Sequence, residues 1–185
     1  MAIDALCCWA DKWQLSVSVN KCCVLNVDKA DVKTDIYINE ACLPAVESAR
    51  DLGVLVTKDL SSQLHVKNVV SRAHKRAAAI LRAFLSRDVN LLMRAFLVYV
   101  RPIVEYNIII WSPSAAHDID AVESVQRSFT KRLHGLKHLS YSERLKCLNV
   151  PSLELRRRYN DLFWCYKIVF GLANVRSNDF FVLSK

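Results

Sequence analysis

The chain has 185 residues, 52% of them hydrophobic, which excludes a disordered tail and fits one ordinary domain or two small ones. Only three glycines and four prolines punctuate it, which argues against a many-stranded, loop-rich β fold and for long helices. The formal charge of +8 is uneven: residues 1–60 hold six Lys/Arg and nine Asp/Glu, a net −3, whereas residues 61–185 hold twenty and nine, a net +11. A basic second half is expected to meet a polyanion.

The first stretch, Ala2 to Trp13, spaces Leu6, Trp9 and Trp13 as one helical face. Then Leu15, Val17 and Val19 alternate with polar residues, predicting a short strand. Val24 to Val27 is a second strand candidate. Asp35 to Ile38 and Ala41 to Leu43 flank Asn39-Glu40 as a hairpin, and the apolar run Leu52 to Val56 fits a further strand.

From Leu60 onward the period becomes helical. Val66, Val70, Ala73, Ala77, Ile80 and Phe84 form one stripe of a helix over 65–87, and Lys67, Arg72, Lys75, Arg76 and Arg82 fall on its exposed arc. Asp88 caps a second helix through Leu92, Phe96 and Tyr99, which ends or kinks near Pro102. Ser112-Pro113 is predicted to open a third, with Ile119, Val122, Val125, Phe129 and Leu133 inward. Ser140 and Glu143 have capping-box spacing for a short helix ending before Pro151. Ser152 starts a fifth, whose stripe is Leu155, Tyr159, Leu162, Tyr166 and Val169, up to Gly171. Core packing is the expected role of Tyr99, Tyr106, Trp111, Phe129 and Trp164.

The seven cysteines, at 7, 8, 22, 23, 42, 147 and 165, form no CxxC pair and are read as reduced, mostly buried thiols of an intracellular protein, in nucleus or cytoplasm. No apolar run approaches a membrane span, so no membrane partner is expected. Phosphate-loop, dinucleotide and serine-hydrolase motifs are absent. Asp28, Asp31, Asp35, Glu40, Glu47 and Asp51 are scattered singly rather than paired to hold metal cations. From the residues alone, no active site is nominated.

A resemblance adds to this reading. The segment Trp13-Gln14-Leu15 through Asn20-Lys21-Cys22 resembles the W-x-L-x-x-N-x-x-K-C passage of LINE-type (non-LTR, jockey-like) retrotransposon reverse transcriptases, with a shorter gap before the lysine. Arg50-Asp51-Leu52-Gly53-Val54 is similar to their DLGV primer-grip hairpin, and His65 stands where their thumb often opens on a histidine. Tyr99 to Tyr106, Trp111-Ser112-Pro113, Glu123 to Lys131, Tyr141 to Leu145 and Leu153 to Arg157 follow in the family's order.

The resemblance implies an α+β fold: the end of a reverse transcriptase palm over 1–59, a helical thumb over 60–136 and a helical extension over 137–185. It implies that Lys21 matches the lysine proposed to protonate the leaving group, and that Leu52 and Gly53 support the primer end. Lys67, Arg72, Lys75, Arg76 and Arg82 would then lie along an RNA–DNA hybrid or another duplex. The family's catalytic aspartates and their magnesium would belong to a missing N-terminal polymerase portion, so this stretch is expected to carry no cofactor and no polymerase activity alone. Two other readings share the basic helix: a host nucleic-acid-binding helical protein derived from such an element, and a helical interaction scaffold. Lys131, Arg132, Lys137, Arg156, Arg157 and Arg158 form later basic clusters that face either phosphate or water.

Overall fold

A computed structural model describes residues 2–27, 35–38 and 40–182. The fold is α+β, with short strands before residue 58 and helices after it. Backbone contacts divide it into two units, Met1–Leu64 and His65–Lys185.

The first unit opens with α1, Ala2–Lys12. The strand expected at 15–19 does not form, because its amides are used elsewhere. Gln14 turns left-handed at φ 55°, and the Leu15 N–H donates to Ala10 O at 2.9 Å, closing the helix C-terminus. A 3-10 turn, Val19–Lys21, follows instead. Strand β1, Val24–Leu25, pairs in parallel with β4, Ala45–Val46; β2, Tyr37–Ile38, pairs antiparallel with β3, Ala41–Cys42. The expected turn between β2 and β3 includes Asn39, which lies outside the described residues, as do Asp28 and Asp31. Strands β5, Ser48–Asp51, and β6, Val54–Thr57, make the longest hairpin. Leu52 and Gly53, expected to begin a strand, are instead its turn, at φ 43° and 87°. A two-residue hairpin loop with both φ positive matches the right-handed twist of its strands, and Gly53 accommodates the larger angle at no steric cost.

In the second unit, α2 runs Gln63–Ala83, α3 Val89–Tyr99, α4 Arg101–Glu105, α5 Ile108–Trp111, α6 Ala116–Lys131, α7 Tyr141–Leu148 and α8 Leu153–Val169. Asp88 caps α3, accepting from the Asn90 N–H at 2.8 Å. Pro102 occupies the first turn of α4, which makes a break of what would otherwise be one helix. The Ser140 side chain and the Glu143 carboxylate close a capping box on α7, and Ser152 caps α8. Ser112 does not open α6. It ends α5, and its hydroxyl accepts from Arg157 at 2.9 Å, so α6 begins at Ala116 without a side-chain cap.

Val66, Ala73 and Ala77 of α2, Phe96 of α3, Val104 of α4 and Val125 and Phe129 of α6 are buried, with the Phe96 and Phe129 rings 4.7 Å apart between centroids. Trp111 is also buried, donating to Tyr106 O at 2.8 Å and meeting the His65 ring edge-on. Tyr99, Tyr106 and Trp164, expected in the core, are exposed. Tyr99 is the last residue of α3, Tyr106 follows α4, and Trp164 lies on α8, where only Leu153 is buried. All seven cysteines are free, and none is buried, contrary to the expectation of mostly buried thiols. Cys7, Cys8, Cys147 and Cys165 lie on helices, Cys42 on the two-residue strand β3, and Cys22 and Cys23 between the 3-10 turn and β1.

A buried polar file on α6 sets α7 and α8 in place. The Glu123 carboxylate accepts from the Leu153 and Glu154 amides at 3.2 and 2.8 Å, and from the Tyr141 hydroxyl. Gln126 donates to Tyr141 Oη and Pro151 O. Arg144, itself buried, donates to Thr130 Oγ1, Leu139 O and Arg127 O. The first free amides of α8 are thereby satisfied by a carboxylate at the positive end of its dipole. Glu123→Ala would strand those amides and the Tyr141 hydroxyl. A loss of about 3 kcal/mol in urea unfolding of the chain is expected, and a change within about 0.5 kcal/mol would show the carboxylate to be dispensable.

Candidate nucleic-acid interface

Helix α2 has no Asp or Glu anywhere between Gln63 and Ala83, so none of its cations is neutralised within the helix. Its inner face is His65, Val66, Val69, Ala73, Ala77 and Ile80, all buried. The helical period therefore turns Lys67, Arg72, Lys75, Arg76 and Arg82 outward, and all five are exposed. Among the described residues, no carboxylate forms an ion pair with any of them. At 1.5 Å of rise per residue, Lys67, Lys75 and Arg82 stand about 12 and 10 Å apart along the axis, and Arg72 and Arg76 about 6 Å. The result is a one-signed arc along a 21-residue helix.

The later basic clusters behave differently. Arg156 clasps Glu105 through two nitrogens, Arg157 meets Asp161 at 3.7 Å as well as Ser112, and Arg158 meets Glu154 at 2.6 Å. Arg127 pairs with Asp120 at 2.7 Å. Arg156 and Arg157 thereby join α8 to Glu105 and Ser112, whereas Arg127 and Arg158 pair within their own helices. Lys131, Arg132 and Lys137 remain exposed without a described carboxylate partner.

Arg132 helps line a cleft of about 170 Å³ between α2 and α6, together with His74, Ala77, Ala78, Leu81, Ser128 and Phe129. His74 Nε2 is 3.3 Å from Ser124 Oγ, which itself donates to Ala121 O at 2.6 Å. With its hydroxyl proton so used, Ser124 can only accept from His74, which assigns the Nε2–H tautomer. Burial and the Arg132 cation both hold the His74 imidazole below its ordinary value of 6.5. Burial and the hydrogen bond to Glu123 push the Tyr141 hydroxyl far up, so it stays a donor.

The other sequence-nominated residues lie in the first unit. Lys21 ends the 3-10 turn three residues before β1 and is exposed; Leu52 and Gly53 form the β5–β6 tip, with Leu52 80% exposed. Among the described residues, no three His, Cys, Asp or Glu side chains converge to hold a metal ion. No described helix is long and apolar enough to cross a membrane. The Glu123 network escaped the sequence reading, although Glu123, Gln126 and Thr130 recur at helical spacing beside the apolar file of Val122, Val125 and Phe129. That polar file is its signal.

No protein-family profile matches the chain, and no solved structure matches it. It is 26% identical over 124 residues to an uncharacterized protein of Caenorhabditis elegans, covering 65% of this chain and 63% of that protein. It is 24% identical over 134 residues to the probable RNA-directed DNA polymerase from transposon X-element of Drosophila melanogaster, covering 69% of this chain and 14% of the polymerase. The chain thus spans less than two thirds of either relative, and its likeness to the second points to a relation with transposon RNA-directed DNA polymerases.

The His74 environment has a consequence for stability. Because the folded chain takes up this proton less readily than the unfolded one, stability is full above pH 6.5 and falls as pH drops below it. In urea melts from pH 7.5 to 5, His74→Gln is expected to flatten that decline, and an unchanged slope would assign it to other groups.

Proposed function

We propose that α2 lies against the sugar–phosphate backbone of an RNA–DNA hybrid or a similar duplex, as part of the late palm and thumb of a LINE-type, jockey-like retrotransposon RNA-directed DNA polymerase. The observation that carries this reading is the unpaired cationic arc of Lys67, Arg72, Lys75, Arg76 and Arg82 on a helix that contains no acid. Glu105, Asp120, Glu154 and Asp161 pair with arginines of α6 and α8, which leaves this arc uncompensated. The likeness to a transposon polymerase supports the same assignment.

Such a grip is electrostatic and indifferent to base sequence. Each cation that meets a phosphate releases a condensed counterion, so affinity falls steeply with salt. In this reading Leu52 and Gly53 form a primer grip and Lys21 serves as a leaving-group acid, within a polymerase completed by an N-terminal portion carrying the aspartates and magnesium. The place of action is inside the cell, in nucleus or cytoplasm.

Fluorescence anisotropy of a labelled RNA–DNA hybrid tests the grip. Five phosphate contacts predict a slope of log affinity against log salt of about −4, reduced by about one unit each in Lys75→Ala and Arg82→Ala. Absence of binding at low salt, or variants that match the parent chain, would refute it. Primer extension on an RNA template with magnesium is expected to yield no product, and reproducible metal-dependent extension by the purified chain would end that part of the proposal.

A further inference from the structure

Helix α8 is mounted with its polar side inward. Toward its own unit it presents Leu153, the Arg156 guanidinium clasping Glu105, and Arg157 on Ser112. Its apolar side faces solvent: Leu155 is 60% exposed, Tyr159 71%, Leu162 70%, Tyr166 53% and Val169 46%. Phe163 and Phe170 flank that line and are exposed as well. Helical spacing alone predicts that such an apolar stripe turns toward the core. The Glu105 and Ser112 contacts reverse it.

The intervals along the line are four, three, four and three residues, which repeat every seven. A period of 3.5 rather than 3.6 keeps one seam facing a single neighbouring helix, the pattern by which helices pair through knobs into holes. From the usual areas of such side chains, the seven exposed residues offer roughly 700 Å² per copy, so pairing two copies would bury about 1,400 Å², within the standard range for a stable complex. A single soluble monomer rarely leaves so large a contiguous apolar patch open.

The charges beside the seam indicate the occupant. Arg158 is paired with Glu154, Arg157 with Asp161, and Lys167 sits over the Phe163 and Trp164 rings at 4.5 and 5.0 Å. With its cations committed, α8 offers little to an anionic backbone or an acidic lipid surface. A seam of alternating leucine and tyrosine is matched by another copy of itself across a twofold axis. We propose that the chain forms a homodimer through α8, with Leu155, Tyr159, Leu162, Tyr166 and Val169 interleaved against the same residues of a second copy.

The test is sedimentation velocity and light scattering of the full chain over a wide concentration range, with far-ultraviolet circular dichroism to confirm folding. The expected result is a reversible species of twice the 21.1 kDa chain mass. Leu162→Glu removes one seam leucine from each copy and should weaken the dimer roughly a hundredfold. Tyr159→Ser, also at a solvent-facing position, should weaken it in the same direction. Leu85→Glu, at a residue 97% exposed between α2 and α3, should leave it intact. A monomer at every concentration overturns the proposal, as does a dimer indifferent to both seam variants. Binding of the monomer to phosphatidylcholine–phosphatidylserine vesicles or to single-stranded RNA, lost in Leu162→Glu, would give the face another occupant and overturn it too. Hybrid binding by Leu162→Glu separates the two readings, because the α2 arc does not include this residue.

Discussion

The helical unit depends on one buried carboxylate. Glu123 sits on α6 among side chains that exclude water, and its two oxygens receive the first amides of α8 and the hydroxyl of Tyr141 from α7. A charge removed from water is costly unless its hydrogen-bonding positions are filled, so the carboxylate and its donors constrain one another. Gln126 of α6 ties the Pro151 carbonyl to its helix, and Arg144 of α7 extends the same logic by binding both the Leu139 carbonyl and Thr130 and Arg127 of α6. The direction in which α8 leaves the bundle follows from this anchor.

Once α8 is held by its N-terminus, its orientation decides how charge is shared. Arg156 and Arg157 are carried to Glu105 and Ser112, and Arg158 finds Glu154 within its own helix. The second half of the chain has twenty basic residues and nine acidic ones, so such pairing leaves an excess of cations. On α2 part of that excess, five cations, is spread along one exposed arc of a 21-residue helix. Local pairing elsewhere thus leaves the α2 arc uncompensated, as it also leaves Lys131, Arg132 and Lys137.

The same orientation leaves the leucine and tyrosine line of α8 uncovered. Within the unit, α8 packs through polar contacts that are specific in direction but bury little apolar area. A cationic face on α2 and an apolar face on α8 have different chemistry and therefore suit different partners. They are separable by mutation for that reason.

Much of the local structure was legible in the sequence. Asp88, the Ser140–Glu143 pair and Ser152 announce their helices because a cap needs only residues within one turn. The inner and outer sides of α2 follow from helical spacing, with Val66, Ala73, Ala77 and Ile80 buried, Val70 half-buried and its five nominated cations exposed, but Phe84, beyond the helix end at Ala83, is exposed rather than inward. Alternation failed at 15–19, where a helix C-cap claimed the amide of Leu15 and no strand was paired with the segment. Ser112 looked like a cap until Arg157, distant in sequence, took its hydroxyl. Spacing fixes which residues share a side of a helix, since that is set by the backbone's own pitch. What lies against that side is set by contacts between distant segments, and only the tertiary structure decided that α2's cations go unpaired, that Glu123 is a buried anchor and that α8 turns its apolar line outward.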